Sequence, residues 1–128
     1  MRVLLDTHVL IWTLIEPAKL STQTRAVLED SENEVLFSAA SIWEISIKAA
    51  LGRADFGVSP RRILETALAS GFVELPVRSA AALHVETLPH HHRDPFDRLL
   101  VAQAMTEPAV LYTVDAQLEA YSELVVRI

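Results

Sequence analysis

The sequence predicts an α/β fold, a three-layer α/β/α sandwich around a central parallel sheet. Short apolar runs alternate along the chain with longer segments that carry helix caps and stops. The runs are apolar at consecutive positions, which is typical of strands buried on both faces. Because a helix separates each predicted strand from the next, the connections suit parallel strands with helices on both sides of the sheet.

In the first half of the chain, polar caps and helix breakers mark where the helices begin and end. Ser59 followed by Pro60 is the clearest start, because proline suits the first turn of a helix. Gly52 and Gly71 are of the type that commonly follows a helix end. The predicted elements are a strand at 2–6, helices at 7–15 and about 22–31, a strand at 34–38, and helices at 39–51 and 60–70.

The second half continues the alternation of strands and helices. Its clearest helix start is Asp94, a cap residue followed by Pro95 at the first helical position. Pro89 closes the helix before it. The predicted elements are a strand at 72–76, helices at 79–88 and 94–107, a strand at 109–115, a short helix, and a final strand at 124–128.

The composition is that of one globular domain spanning residues 1–128, with 51% hydrophobic residues to form a core. The absence of cysteine excludes disulfides, thiolate nucleophiles and cysteine zinc sites. We see no signal peptide and no apolar stretch of the roughly 20 residues that span a bilayer, so we expect a cytoplasmic protein with no membrane partner. The net charge of −6 argues against a broad basic surface for nucleic acid, but it allows an acidic pocket that binds metal ions.

Four acidic residues stand where a ligand site is expected. Asp6 and Asp115 each end a predicted strand, and ligands of parallel α/β sheets bind outside the carboxyl ends of strands. Glu44 lies in an apolar helix, and Asp97 lies in the first turn of another. Clustered carboxylates repel one another unless a cation lies among them, and oxygen ligands select hard ions such as Mg²⁺ or Mn²⁺. Such ions activate water and stabilise charge on a phosphodiester.

Three of these carboxylates also have a purely structural interpretation. Asp6 and Asp115 can each cap the helix that follows. Glu44 can form an exposed pair with Lys48, four residues further along the helix. Capping and function are compatible at Asp6, because a residue at a strand end also faces the ligand crevice.

The segment RDPFDRLLVAQA (93–104) places several charged residues at the start of a helix that is otherwise apolar. With Asp94 as the cap, Asp97 occupies the third helical position, where it can complete a capping box or point into the site. Arg93 and Arg98 can contact phosphate, or they can form surface ion pairs with Asp94 or nearby acids. The sequence leaves these alternatives open.

Four sequence blocks together resemble the PIN-domain family, and most of all the VapC-type toxins of prokaryotic type II toxin–antitoxin pairs. These blocks are LLDTHVLIW, SAASIWEISIK, HRDPFDRLLVAQA and YTVD, and they occur in the family's order and spacing. The resemblance implies an α/β/α sandwich with Mg²⁺- or Mn²⁺-dependent endoribonuclease activity. It also implies an RNA substrate, a cognate antitoxin as partner, and a homodimer.

The resemblance further implies roles for individual residues. Asp6, Glu44 and Asp97 match the central acidic residues of the family, and Asp115 matches its more variable fourth. We expect Asp6 and Asp97 to hold the metal. Small hydroxyl residues near the family's site are matched by Thr7 and Ser41, which we expect to contribute to substrate binding.

Other functions remain open at this point. An aspartyl phosphatase with Asp6 as nucleophile is one, although that class usually has a second Asp two residues on, where this chain has His8. A binding module without turnover is another. His8 can face the crevice or serve packing. The run of histidines at 90–92 can bind a transition metal, but a solvated loop is the simpler interpretation.

Overall fold

A computed structural model describes residues 1–52 and 57–128. Within them, five parallel strands form one sheet in the order β3-β2-β1-β4-β5. This confirms the predicted central parallel sheet. The strands are β1 (Arg2–Leu5), β2 (Glu34–Ser38), β3 (Val73–Leu75), β4 (Val110–Thr113) and β5 (Val125–Arg127).

Six α-helices and three short 3₁₀ helices connect the strands in the described part of the chain. The cap predicted at Ser59 is confirmed, since its side chain accepts a backbone N–H of the helix that follows, and Ser21 and Ser38 cap their helices in the same way. The predicted helix at 79–88 is shorter and continues as a 3₁₀ turn. The α-helices are α1 (Thr7–Ile15), α2 (Thr22–Glu29), α3 (Ala39–Ala50), α4 (Pro60–Ala69), α5 (Ser79–His84) and α6 (Pro95–Thr106), and the 3₁₀ helices are Pro17–Lys19, Val85–Thr87 and Ala116–Tyr121.

The core has two layers, one on each face of the sheet. In β1, Val3 and Leu5 point into one layer with residues of α1, α2, α3 and α4, whereas Leu4 points into the other layer with residues of α6. Because successive strand residues face opposite sides, a strand that is buried on both faces must be apolar throughout. This is the reason for the consecutive apolar runs in the sequence, and it confirms the three-layer sandwich.

The strand order creates a switch point at the centre of the sheet. From β1 the chain builds outward through β2 and β3, then returns to the other side of β1 to add β4 and β5. Leu5 pairs with Tyr112, and the backbone N–H of Asp6 donates to the Tyr112 carbonyl at 3.0 Å. The carboxyl ends of β1 and β4 therefore lie side by side at the point where such sheets bind ligands.

None of the described helices has the length and apolar character needed to cross a membrane.

Candidate active site

Asp6 is held rigidly between the end of β1 and the start of α1. Its Oδ1 accepts the Val9 N–H at 2.8 Å, so it caps α1 as expected. Its Oδ2 accepts the Thr113 hydroxyl at 2.5 Å, across the β1–β4 junction. The side chain is buried, and burial raises the pKa of Asp6, although the hydrogen bonds from Thr113 and Val9 act in the opposite direction. Asp6 is thus both a cap and a preorganised carboxylate.

Glu44 lies inside the fold, with only 3% of its surface exposed. Its Oε1 accepts the Thr7 hydroxyl at 2.7 Å, and the Thr7 and Ser41 hydroxyls lie 3.0 Å apart. Its Oε2 accepts from Lys48 Nζ at 2.7 Å. The Glu44–Lys48 pair therefore exists, but the interpretation of it as an exposed surface pair is wrong.

Thr7 and Ser41 do not have the position expected of substrate contacts. Both side chains are buried, and their hydroxyls form a chain that ends on Glu44. A hydroxyl has one proton, so Ser41 can donate to Thr7 while Thr7 donates to Glu44. These two residues fix the orientation of the Glu44 carboxylate.

Asp97 takes no part in a capping box, contrary to one of the two expectations for it. The Asp94 carboxylate caps α6 by accepting the N–H groups of Phe96 at 2.8 Å and Asp97 at 3.4 Å. The return bond of a capping box would need the Asp94 N–H, but that group donates to His92 Nδ1 at 3.0 Å. The Asp97 carboxylate is left to face the site.

The electrostatic environment of Asp97 shows that the predicted carboxylates converge. Its pKa is raised to about 7, first by burial and then by the negative charges of Asp94, Asp6 and Glu44, with His92 acting in the opposite direction. Repulsion of this kind arises only between charges that lie near one another. The structure therefore brings together Asp97, Asp6 and Glu44 from three different elements.

His92 joins Asp97 to the fourth predicted carboxylate, Asp115. Its Nε2 lies 2.7 Å from Asp115 Oδ2 and 3.6 Å from Asp97 Oδ2. Since Nδ1 accepts the Asp94 N–H, the proton of the neutral ring belongs on Nε2, which then donates to Asp115. The simple interpretation of residues 90–92 as a solvated loop is wrong for His92, while His90 and His91 are exposed.

Asp115 is the least buried of the four carboxylates. It caps the 3₁₀ helix after β4 by accepting the Gln117 N–H at 2.9 Å. Partial burial alone would raise the pKa of Asp115, but the hydrogen bonds from Gln117 and His92 outweigh it and leave the pKa below its usual value. Asp115 therefore stays ionised at neutral pH beside a site in which Asp97 is poised to gain or lose a proton.

Arg98 is a structural residue, which corrects both expectations for it. Only 8% of its surface is exposed, and its guanidinium donates to the carbonyls of Val85, Leu88 and Pro89 and to the Tyr121 hydroxyl. A guanidinium with these partners forms neither a surface ion pair nor a ready phosphate contact. Arg93 is exposed and stays a candidate for phosphate contact.

Two residues of the site were missed by the sequence reasoning. Thr113 donates to Asp6 and accepts the Asp115 N–H at 3.0 Å, so it links two of the carboxylates. The one signal for it was its place in the YTVD block, two residues before Asp115. His92 had only the ambiguous signal of three histidines in a row.

The donor set suits a hard divalent cation. Ligand atoms of His92, Asp97 and Asp115 lie within 4.8 Å of one another, so this group could hold a metal ion. Because the His92 Nε2 proton already points at Asp115, the carboxylates are the better ligands. Asp6 and Glu44 contribute to the raised pKa of Asp97 by repulsion, and a cation among the carboxylates would offset this repulsion.

The chain is similar to known proteins in sequence and in fold. The family model of the PIN domain matches residues 3–124. A comparison with curated proteins gives no significant match. Among solved structures, the chain is similar to a chain of the crystal structure of VapBC2 from Rickettsia felis bound to a DNA fragment from their promoter, with a TM-score of 0.72. At 12% identity over 100% of this chain and 98% of the other, the similarity shows the fold.

Proposed function

Because the chain belongs to the PIN domain family, whose members are nucleases, we propose that it is a metal-dependent endoribonuclease that hydrolyses RNA phosphodiester bonds at the Asp6–Asp97 site. The observation that carries this proposal is the convergence of Asp6, Glu44 and Asp97, where burial first, and then the negative charges of Asp94, Asp6 and Glu44, raise the pKa of Asp97 to about 7. Such an arrangement is costly without a cation, so it points to a metal-binding role.

Asp6 and Asp97 would hold the ion, which is Mg²⁺ or Mn²⁺ in this proposal. When bound, the ion would supply charge stabilisation for the phosphodiester and activation of water. The protein's own contribution is orientation. Asp6 is fixed by Val9 and Thr113, and Asp115 is fixed by His92. Preorganised carboxylates need little rearrangement when the ion and substrate arrive.

Two helix starts add positive potential at the same edge. Asp6 caps α1, and Asp94 caps α6 three residues before Asp97. Helix N-termini favour anions, so both ends suit the negative charge of an RNA backbone. This offsets part of the repulsion that an acidic pocket exerts on a phosphate.

The aspartyl-phosphatase alternative has less support. Its nucleophile would be Asp6, but hydrogen bonds from Val9 and Thr113 engage both oxygens of that carboxylate. These bonds lower the nucleophilicity of the oxygens. A trapped phospho-aspartate would revive that alternative.

We further propose that the protein is the toxin of a toxin–antitoxin pair, acting in the cytoplasm as a homodimer that a cognate antitoxin silences. The similarity to a chain of the VapBC2 structure supports a partner of this kind. If the proposal is correct, expression of the protein alone should inhibit growth of a bacterial host, and co-expression of its antitoxin should relieve the inhibition. Harmless expression of active, folded protein would contradict the toxin role and leave the nuclease role standing.

The nuclease proposal is tested by incubation with total RNA and mapping of the cut sites. Cleavage should require Mg²⁺ or Mn²⁺, stop with EDTA, and return when either ion is restored. Rescue by zinc alone would point to the histidines instead of the carboxylates. Absence of cleavage with Mn²⁺ present would favour a binding module without turnover.

A further inference from the structure

Trp43 adjoins a site carboxylate in sequence, and 60% of its surface is exposed. It directly precedes Glu44 in α3, and its ring meets the ring of Phe96 edge to face, with centroids 5.3 Å apart and planes at 72°. Phe96 directly precedes Asp97 in α6. The aromatic pair therefore bridges the two helices that carry two of the site carboxylates.

We propose that Trp43 is a stacking platform for a base of single-stranded RNA beside the cleaved phosphodiester, an inference that rests on the proposed nuclease function. Every nucleobase has a π-face, so a tryptophan can bind single strands with little sequence preference. The contact with Phe96 fixes the indole before substrate arrives, which reduces the entropy lost on binding. A base attached near the scissile phosphate must lie close to the carboxylates, and Trp43 and Phe96 directly precede Glu44 and Asp97 in sequence.

The charges around the site favour a stacking contact over a purely ionic one. Helices α3 and α6 contain one basic residue each, Lys48 and Arg98. Lys48 is hydrogen-bonded to Glu44, and Arg98 is turned inward onto backbone carbonyls. With these cations engaged, Arg93 and the two helix N-termini are the remaining electrostatic contacts for RNA, and a stacked base would add a contribution that is not electrostatic.

A protein surface is the competing occupant. Trp43 begins a stripe that continues through Ile47 to Leu51, and Leu51 is 68% exposed. Such a stripe could pack against a second copy or another protein. Of its members, Trp43 directly precedes a site carboxylate in sequence, and its ring contacts Phe96 of α6. Leu51, two helical turns away and of similar exposure, is therefore a matched control.

The test is binding of a mixed-sequence single-stranded RNA, and of the same strand with one abasic nucleotide at successive positions, in the Asp6→Asn background that prevents cleavage. We expect Trp43→Leu to weaken binding by roughly 5- to 150-fold, the range for loss of one stacked base. Trp43→Phe should restore part of the affinity, and Leu51→Ala should leave it unchanged. Trp43→Leu retains apolar bulk against Phe96, so its fold can be checked by thermal melting.

The abasic scan makes the inference specific. Removing one particular base should weaken binding to the Trp43-containing protein and have no further effect on Trp43→Leu. Equal affinity of the two proteins with a flat scan would overturn the inference, even if the protein with Asp6 intact cleaves RNA. A change of oligomeric state in Trp43→Leu, with unchanged RNA binding, would overturn it in favour of a protein surface. Failure of the protein with Asp6 intact to cleave RNA with Mn²⁺ would overturn the nuclease function itself.

Discussion

Acidic residues lie at both ends of the central strands, but the two groups differ in burial and in their charged partners. At the amino end, Arg2 of β1 lies between Glu34 of β2 and Glu107 after α6. Its Nε is 3.1 Å from Glu34 and its Nη2 is 3.0 Å from Glu107. Arg2 and Glu34 are exposed, and the two carboxylates raise the pKa of the guanidinium. One cation here forms two ion pairs near the surface, one with each acid.

At the carboxyl end, Asp6 and Glu44 are buried and Asp97 is partly buried, so these acids have less contact with water than those at the amino end. Asp6, Glu44 and Asp97 share a site in which Lys48 is the basic side chain bonded to one of them. Burial, followed by the negative charges of Asp94, Asp6 and Glu44, raises the pKa of Asp97 to about 7. The comparison shows that carboxylates alone do not mark a site. A site is marked by carboxylates that are preorganised, desolvated and short of positive charge.

The largest expected effect is loss of cleavage in Asp6→Asn. Asparagine retains an oxygen that can accept the Val9 N–H, so the helix cap should survive. Losing the several kcal/mol that a metal ion supplies corresponds to a loss of about 10³-fold or more in kcat. Glu107→Gln, at the amino end of the same sheet, should cleave at the wild-type rate. Full activity of folded Asp6→Asn would remove this residue from the mechanism.

The next largest effect is expected on the free energy of unfolding of Asp97→Asn. The pKa of Asp97 is raised in the folded state, so the folded protein binds a proton more readily than the unfolded chain between about pH 4 and 7. The wild type should therefore lose stability as pH rises through this window, and Asp97→Asn should lose less, since the raised pKa of Asp6 remains in the variant. The shift from 3.8 to about 7 corresponds to an advantage for metal-free Asp97→Asn of up to about 4 kcal/mol at pH 8.

This effect is measured as the free energy of unfolding in EDTA across that pH range. The opposing loss of a helix-dipole interaction is smaller, about 0.3–1 kcal/mol. At pH below 4 the two proteins should be equally stable. A variant that is less stable than the wild type at pH 8 would mean that Asp97 serves its helix and not a shared site.

A smaller effect is expected at His92. His92→Ala removes the donor that holds Asp115, so kcat/KM should fall by roughly 10- to 100-fold, as for other groups that orient metal-site ligands. His90→Ala, in the same loop but exposed, is the matched control. If the two variants were equally active, the contact between His92 and Asp115 would be incidental.

The smallest effect is expected at the amino end. Glu34→Gln breaks an exposed ion pair with Arg2, which is worth at most about 1 kcal/mol. Urea unfolding should show a difference of this size at low salt and less at high salt, because salt screens surface charges. A loss of several kcal/mol would mean that the acidic residues at the amino and carboxyl ends of the central strands do not differ in the way proposed.

The layers of the fold could be predicted from the sequence because burial on both faces imposes consecutive apolar residues. The strand order could not, since β1 and β4 are brought together by packing between segments that are far apart in the chain. Asp6 could be identified from the sequence, because its position at the end of a predicted strand is enough to mark it as a candidate site residue. Its hydrogen-bond partner Thr113 could not be identified in this way, because the contact exists only once β4 lies beside β1.

Arg98 and His92 show the other limit of sequence reasoning. An arginine near a helix start is usually exposed, and only the path of residues 85–89 over α6 buries this one. His92 looks like its two neighbours in sequence. The bond from the Asp94 N–H to its ring is what turns it toward the carboxylates. Both errors concern long side chains whose partners are set by tertiary packing.

The central claim is that the carboxyl edge of the sheet binds a divalent cation. The most direct test is titration of the protein with Mn²⁺, following the free ion by its electron paramagnetic resonance signal, for the wild type, Asp97→Asn and Glu107→Gln. The account predicts that the wild type and Glu107→Gln bind Mn²⁺ with the same Kd, and that Asp97→Asn binds at least about tenfold more weakly, the effect expected from loss of a group at a metal site. Equal Mn²⁺ affinity in all three proteins, or no binding by the wild type, would contradict it.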